Sequence, residues 1–227
     1  MLERLRPSLE VKNDGLELAD GHAPSRPTSV LLPLAFANFV VGAGAFVVIG
    51  MLSPIAHSLS MSKLQAAWVI SAYALGYAVS SPVLIVVTGH LRRRTVVLTG
   101  ITIFVFASLM TAAASTPAFL YAARLLAAIG SGMVTPVAAA IAVAISSEGA
   151  RGKALSSVFA GITIAQVIGV PAGAYIGYTF GPATAFVLAA MLCAVVFVWV
   201  ALAIPSDVQF PPQSLGTLGE RSSARAM

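Results

Sequence analysis

A single arginine, Arg124, lies well inside an apolar stretch of this sequence, LYAARLLAAIG. A charged side chain at the centre of a bilayer costs about 2.5–3.5 kcal/mol on insertion scales, so such a residue usually faces a cavity or a partner. The alternative is that the side chain extends to the lipid headgroups, because Arg124 lies about two helical turns from the end of its stretch. The position therefore indicates either a buried cation with a role in binding or a cation that reaches the membrane surface.

Uncharged polar side chains lie at depth in three other apolar stretches, at Asn38, Tyr73 and Gln166. Amides and hydroxyls within lipid need partners, and they often form hydrogen bonds between helices. We predict that Arg124, Asn38, Gln166 and Tyr73 line a substrate cavity. Among the uncharged three, Asn38 and Gln166 are the stronger candidates for contact with a small-molecule substrate.

Carboxylates are confined to segments outside the apolar stretches, at Glu3, Glu10, Asp14, Glu17, Asp20, Glu148, Asp207 and Glu220. A proton carrier in a membrane needs a titratable group that both sides can reach in turn. His57 and His90 lie at the edges of apolar stretches, where histidines are usually solvated loop residues. The sequence therefore offers no evident proton site.

No motif for enzymatic chemistry is present. The sequence has no phosphate-binding Gly–Lys pattern, no Cys and His spacing for a metal, and no nucleophile with a plausible base. We predict no catalytic residue, no metal site and no cofactor, and a protein that is not an enzyme.

The elements that must position these side chains are membrane-spanning helices. Of the 227 residues, 58% are hydrophobic and 9% are charged, whereas a soluble domain carries roughly 25% charged residues. A helix needs about 20 apolar residues to cross a bilayer. Six such stretches are present, over residues 30–56, 66–88, 95–114, 118–146, 155–180 and 183–204. We predict an all-α membrane protein with six transmembrane helices, surrounded by the lipid bilayer.

Basic residues concentrate in alternate connections between these stretches. Arg92, Arg93 and Arg94 follow the second stretch, and Arg151 and Lys153 follow the fourth. The positive-inside rule places these loops and both termini in the cytoplasm, and an even number of crossings agrees.

The domain boundaries follow from the same pattern. We predict cytoplasmic tails over residues 1–29, which we expect to be disordered, and 205–227, on either side of a transmembrane domain over residues 30–204. The net charge of +5 lies mostly in tails and loops rather than in a basic stripe, which argues against a nucleic-acid partner.

The six stretches differ in side-chain bulk. The third and sixth are bulky, whereas the other four are rich in Gly, Ala, Ser and scattered polar residues. A helix with small and polar residues needs protein or water beside it, whereas a bulky one can face lipid. We therefore expect the third and sixth crossings to lie outside and the other four to surround an interior.

The fifth stretch has a small residue at every fourth position. These residues are Gly161, Ala165, Gly169, Gly173 and Gly177, and Pro171 lies among them. Residues four apart share one helix face, and small side chains allow two backbones to approach closely within lipid. Pro171 removes one backbone hydrogen bond and can bend the helix. The pattern predicts either a plain packing seam or a seam at which helices shift during transport.

Several of these motifs together resemble the major facilitator superfamily, in its drug:proton antiporter branch. They are GITIAQVIGVPAGAYIG, MLSPIAHSLSMSKLQAAWVISAYALGYAVSSPV, LYAARLLAAIGSGMVTPVAAAIAVAI and GARGKALSSVF. The likeness is to arabinose-efflux and chloramphenicol-efflux type permeases, and it covers residues 31–205.

The resemblance implies a fold of two six-helix halves, each made of two three-helix inverted repeats, with a substrate cavity between the halves. Access to the cavity would alternate as one half rocks against the other. This chain would supply the N-terminal half of a bacterial inner-membrane exporter of small amphipathic or sugar-like compounds. Arg124 occupies the motif arginine of the fourth helix and would face the cavity, although Ala127 and Ala128 replace the Gln and Gly that the motif carries.

The resemblance also bears on the arginine loop. Related permeases pair such arginines with an aspartate that binds the other half, and the loop with Arg92, Arg93 and Arg94 has no acid. The alternative role of these arginines is to orient the chain in the membrane.

The last residues, PPQSLGTLGERSSARAM, resemble the start of the loop that links the two halves. Three partner arrangements therefore stay open. A second chain supplies the other half, two copies pair as a homodimer, or the chain is a truncated membrane fragment that does not transport.

Overall fold

The computed structural model describes residues 27–204. Their helices are α1 (Pro27–Gly50), α2 (Leu52–Ser58), α3 (Lys63–Val87), α4 (Arg93–Ala112), α5 (Pro117–Ala144), α6 (Arg151–Ile164), α7 (Val170–Phe180) and α8 (Pro182–Ala203). A π-helical turn, Ala165–Gly169, joins α6 to α7 without a break, and a 3-10 turn, Glu148–Ala150, precedes α6. Residues 1–26 and 205–227, which contain nearly all of the two predicted tails, lie outside the described residues.

Six helical stretches of this region are long and apolar enough to cross a membrane. They are Ser29–Gly50, Lys63–Val87, Arg93–Ala112, Pro117–Ala144, Glu148–Phe180 and Pro182–Ala203. The predicted six crossings and the all-α fold class are therefore confirmed. We refer to Glu148–Phe180, which contains α6, the π turn and α7, as the fifth crossing.

The first predicted stretch, residues 30–56, proves to be two helices. α1 ends at Gly50, and the short helix α2 begins at Leu52. Pro54 explains the break, because a proline cannot donate the hydrogen bond that the carbonyl of Gly50 would accept in a continuous helix. The bulk of the first stretch nevertheless forms one crossing.

Side-chain caps fix the starts of two crossings. The Ser62 hydroxyl accepts a hydrogen bond from the Gln65 backbone N–H at 3.1 Å, and the Ser62 N–H donates to Gln65 Oε1 at 2.9 Å. This reciprocal pair is a capping box. Thr116 similarly accepts from the backbone N–H of Phe119 at 3.3 Å, so α5 begins directly after it.

The crossings pack around a central pair, α1 and α5. The helices α4 and α8 pack against each other and cover one side of that pair, while α3 packs against α5 and the fifth crossing packs chiefly against α1. The third and sixth crossings thus lie together on one side, as side-chain bulk predicted.

The second and fifth crossings are covered less than the other crossings. Only Ala66 and Val69 of α3 are buried, and much of the fifth crossing is exposed as well. The second crossing contacts α5 through one face, and the fifth crossing contacts chiefly α1 through one face. The other faces of both crossings are exposed.

Candidate functional site

The described residues form an open pocket of about 220 Å³ between the first, second, fourth and fifth crossings. Its walls are Val41, Gly42, Ala45, Phe46, Tyr73, Tyr77, Ser131, Thr135 and Ile162. These are the four crossings that we expect to surround an interior, because they are rich in small and polar residues.

Hydroxyl groups and aromatic rings give this pocket its chemistry. Tyr73 and Tyr77 are four residues apart on α3, and Ser131 and Thr135 are four apart on α5, so each pair shares one helix face. None of the lining residues carries a charge. Sequence reasoning missed Tyr77, Ser131 and Thr135, although the spacing of four between hydroxyl-bearing residues on apolar helices was a readable signal.

Arg124 lies directly behind the pocket wall. Its side chain is 1% exposed, and its guanidinium donates from Nη1 to the Gly44 carbonyl at 3.1 Å and from Nη2 to the Ala45 carbonyl at 2.9 Å. Neither sequence expectation describes this position fully. The side chain does not extend to the membrane surface, and it is not among the residues that line the pocket.

Aromatic rings lie close to the guanidinium. The Arg124 Cζ atom is 4.6 Å from the centre of the Tyr73 ring and 5.9 Å from the centre of the Phe186 ring. A cation is attracted to the face of an aromatic ring at such distances. The Tyr73 ring also lines the pocket, so it separates Arg124 from the pocket interior.

A hydrogen-bond chain holds Tyr73 in this position. The Ser131 hydroxyl donates to the Ala127 carbonyl at 2.7 Å, and the Tyr73 hydroxyl lies 2.6 Å from Ser131 Oγ. A serine has one hydroxyl proton, and Ser131 gives it to Ala127. Tyr73 is therefore the donor to Ser131, and this bond fixes the ring over Arg124.

The structure does not bring Asn38 or Gln166 to the pocket. Neither Asn38 nor Gln166 is among the residues that line the pocket. Asn38 is 0% exposed, and its Nδ2 donates to the Val158 carbonyl at 3.4 Å. Asn38 joins α1 to α6, while Gln166 lies in the π turn and is exposed. Of the four predicted cavity residues, only Tyr73 lines the pocket, with Arg124 behind it.

The small residues of the fifth crossing face α1. A methyl group added at Gly161 would overlap the Ala35 carbonyl, and one at Gly169 would lie 3.2 Å from the Ala43 Cβ. Gly173 and Gly177 continue the same line, where an added methyl would overlap Val47 and Met51. The two helices thus run side by side at close backbone distance along the whole seam, which is the contact that small residues permit within lipid.

The π turn interrupts this helix just before Pro171. The proline has no N–H to donate, and its ring would collide with the carbonyl four residues earlier, that of Val167. A wider π turn over Ala165–Gly169 absorbs the mismatch. We expected a bend at Pro171 itself, whereas the altered geometry lies in the preceding turn.

Of the three loop arginines predicted from the sequence, Arg93 and Arg94 lie in the first turn of α4, and Arg94 joins the third crossing to the sixth. Arg94 donates from Nη2 to the Ala201 carbonyl in the last turn of α8 at 2.6 Å, which places a cation at the negative end of a helix dipole. Arg92 precedes α4 and is exposed, and together with Arg94, Thr95 and Leu98 it lines an open pocket of about 260 Å³. Arg93 is half-buried.

The fold and pocket define a multi-pass helical membrane protein with an internal, largely apolar pocket. The sequence profile of the family described as the Major Facilitator Superfamily matches residues 34–226. The chain belongs to this superfamily, and its structure is consistent with half of that fold. The resemblance drawn from its motifs is therefore confirmed.

Individual relatives agree. The chain is 34% identical over 179 residues to the uncharacterized MFS-type transporter YtbD of Bacillus subtilis. This match covers 79% of this chain and 45% of YtbD. It is 28% identical over 188 residues to a probable sugar efflux transporter of Mannheimia succiniciproducens, covering 83% of this chain and 47% of that protein. It is 28% identical over 175 residues to the putative transporter AraJ of Escherichia coli. This match covers 75% of this chain and 44% of AraJ. The chain spans about half the length of the curated relatives it matches.

Proposed function

We propose that this chain is one six-helix half of a permease that exports small amphipathic or sugar-like compounds by alternating access. The observation that carries the proposal is the pocket between four crossings, whose rings and hydroxyls suit a solute with both apolar and polar surface. A relative named as a probable sugar efflux transporter supports the direction and the compound class. The membrane would be the bacterial inner membrane, with both termini in the cytoplasm.

Each part of the chain would have a separate role. The pocket would form one wall of the transport path, with Tyr73 on its lining and Arg124 directly behind Tyr73. The seam from Gly161 to Gly177 would be the line along which the fifth crossing shifts against α1. Asn38 would hold α1 to α6, and Gln166 would contact a solute only after such a shift.

A partner would complete the path. The exposed residues of α3 include Leu75, Val79 and Val83, and the fifth crossing exposes Val167 and Tyr175. Large exposed apolar residues beside the pocket suit cover by protein. We propose a second six-helix half as that cover. A homodimer and a fragment that does not transport are the alternatives that the assay below distinguishes.

Transport into inverted membrane vesicles tests this function. Radiolabelled arabinose or chloramphenicol is added outside inverted vesicles from cells that lack other exporters. The vesicles contain either the chain alone or the chain with the second half of a relative. We expect Tyr77→Ala to lower uptake about 3- to 10-fold through loss of a ring contact. The matched control is Phe106→Ala, which removes an exposed aromatic ring on α4, outside the pocket and outside the surface proposed for the second half.

Each outcome separates one alternative. Uptake by the chain alone supports a homodimer, and uptake that requires the added half supports a divided permease. The proposal fails when neither arrangement gives uptake of either compound although the chain is inserted and stable.

A further inference from the structure

Arg124 carries a charge that no carboxylate neutralises among residues 27–204. Glu148 is the only Asp or Glu in that range, and it pairs with Arg151 at 3.8 Å. The Glu148 side chain is 92% exposed, in a loop, whereas Arg124 is buried within α5. The carbonyls and rings around Arg124 orient its charge without cancelling it.

The guanidinium also has unused hydrogen-bond donors. A guanidinium has five N–H groups, and two of them are used by Gly44 and Ala45. The Nε atom is buried and has no hydrogen-bond partner among the described residues. A buried donor without a partner carries the full desolvation cost, so a group that accepts from it would be stabilised.

The pocket lining beside these donors is formed by Tyr73 and Ala45, and each contacts the guanidinium. The Tyr73 hydroxyl is held by one hydrogen bond, to Ser131. A rotation of this side chain would break that bond and open Arg124 to the pocket, which has about 220 Å³ of space.

We propose that the pocket binds a small amphipathic organic anion, whose carboxylate takes the place of the Tyr73 ring beside Arg124. The planar guanidinium can hold a carboxylate by two parallel hydrogen bonds, and such charge-assisted bonds are about twice as strong as neutral ones. The apolar part of the anion would pack against Phe46, Tyr77 and Ile162. This inference rests on the proposed function, because it names the substrate class of the same pocket.

The absence of charge on the pocket lining supports this class. A neutral sugar would need several hydroxyl partners but would leave the Arg124 charge uncompensated. An anion with one carboxylate would satisfy the charge and would leave its apolar body among side chains that are mostly apolar. Tyr73 would then act as a positioning residue that covers the cation when no anion is bound.

Equilibrium dialysis with radiolabelled benzoate and benzamide tests the proposal. The two probes have nearly the same shape, and only benzoate is charged. With the purified 227-residue chain in dodecylmaltoside, we expect benzoate to bind about tenfold more tightly than benzamide. Arg124→Gln should abolish this preference, while Arg151→Gln, which removes an exposed arginine, should keep it.

Two further variants separate the role of Arg124 from a general loss of fold. Arg124→Lys keeps a cation and should retain part of the preference for benzoate. Tyr73→Phe removes the hydroxyl that holds the ring on Ser131, and should tighten benzoate binding severalfold without changing benzamide. Circular dichroism and gel filtration show whether each variant is folded.

The proposal is overturned when the wild-type chain binds both probes equally or does not bind benzoate, or when a folded Arg124→Gln variant keeps the preference. It is also overturned when pairing with a second half removes the preference, because a carboxylate of that half would then be the partner of Arg124. Transport of arabinose without a benzoate preference refutes only this inference. A benzoate preference without transport refutes only the proposed function.

Discussion

The helix α1 meets its neighbours in two different ways. Towards α5 it offers the carbonyls of Gly44 and Ala45, which accept hydrogen bonds from Arg124. Towards the fifth crossing it offers Ala35, Ala43, Val47 and Met51, which lie against a line of small residues. The first contact is polar and directional. The second is made chiefly by shape, with one long hydrogen bond from Asn38 Nδ2 to the Val158 carbonyl at 3.4 Å.

This difference shows how one helix can be fixed on one side and able to move on the other. Directional bonds hold only one arrangement of two helices. The line of small residues makes packing contacts, and the Asn38–Val158 hydrogen bond is a side-chain bond that sliding of these helices would break. We therefore expect the Arg124 contact to keep α1 and α5 together as a unit. The seam is then the place where the fifth crossing would move.

The largest expected effect is on the seam. Gly161→Ala places a methyl group on the backbone carbonyl of Ala35, and overpacking of this kind costs about 1–3 kcal/mol. Unfolding in mixed micelles of dodecylmaltoside and dodecyl sulfate measures the loss of stability.

Gly152→Ala is the matched control, because Gly152 lies in the same helix and has nothing within 4 Å of an added methyl. The control should be as stable as the wild type or slightly more stable, since alanine favours helix. Equal stability of the two variants would show that the seam is looser than the structure has it.

A smaller effect is expected on the hydrogen bond that holds Tyr73 beside Arg124. Ser131→Ala removes the acceptor of the Tyr73 hydroxyl, and such hydrogen bonds in membrane proteins average about 0.6 kcal/mol. The same unfolding measurement should show this small loss. Ser156→Ala, which removes an exposed hydroxyl bonded to Gly152, serves as its control. A loss larger than that of Gly161→Ala would reverse the ranking of the two contacts.

Much of the fold could be predicted from the sequence because hydrocarbon imposes a minimum length and an apolar composition on each crossing. The seam was equally readable, since a period of four small residues specifies a flat helix face. The position of the third and sixth crossings followed from bulk alone.

The site was harder to predict, because depth in a span does not specify which neighbour a side chain meets. Asn38 and Tyr73 are both polar and deep, yet Asn38 bonds to Val158 while Tyr73 covers Arg124. The direction of the Arg124 side chain depends on which helix lies beside α5 at that level. The π turn could not be predicted either. Pro171 indicates that the regular hydrogen bonding of the helix is interrupted, but it does not specify in which turn the geometry changes.

A transport pocket must meet water, so we expect water in the pocket between the four crossings and lipid at the exposed side of α8. Labelling of introduced cysteines with a water-soluble maleimide tests it, in a Cys193→Ala background that removes the free buried cysteine. Tyr77→Cys lies in the pocket, and Val195→Cys lies on α8 at a position that is 66% exposed. The reactive form of a cysteine is the thiolate, which hydrocarbon disfavours.

We expect Tyr77→Cys to react about tenfold faster than Val195→Cys or more, because a neutral thiol in lipid is almost inert. Equal rates at the two positions, or a faster reaction at Val195→Cys, would show that the pocket does not meet water.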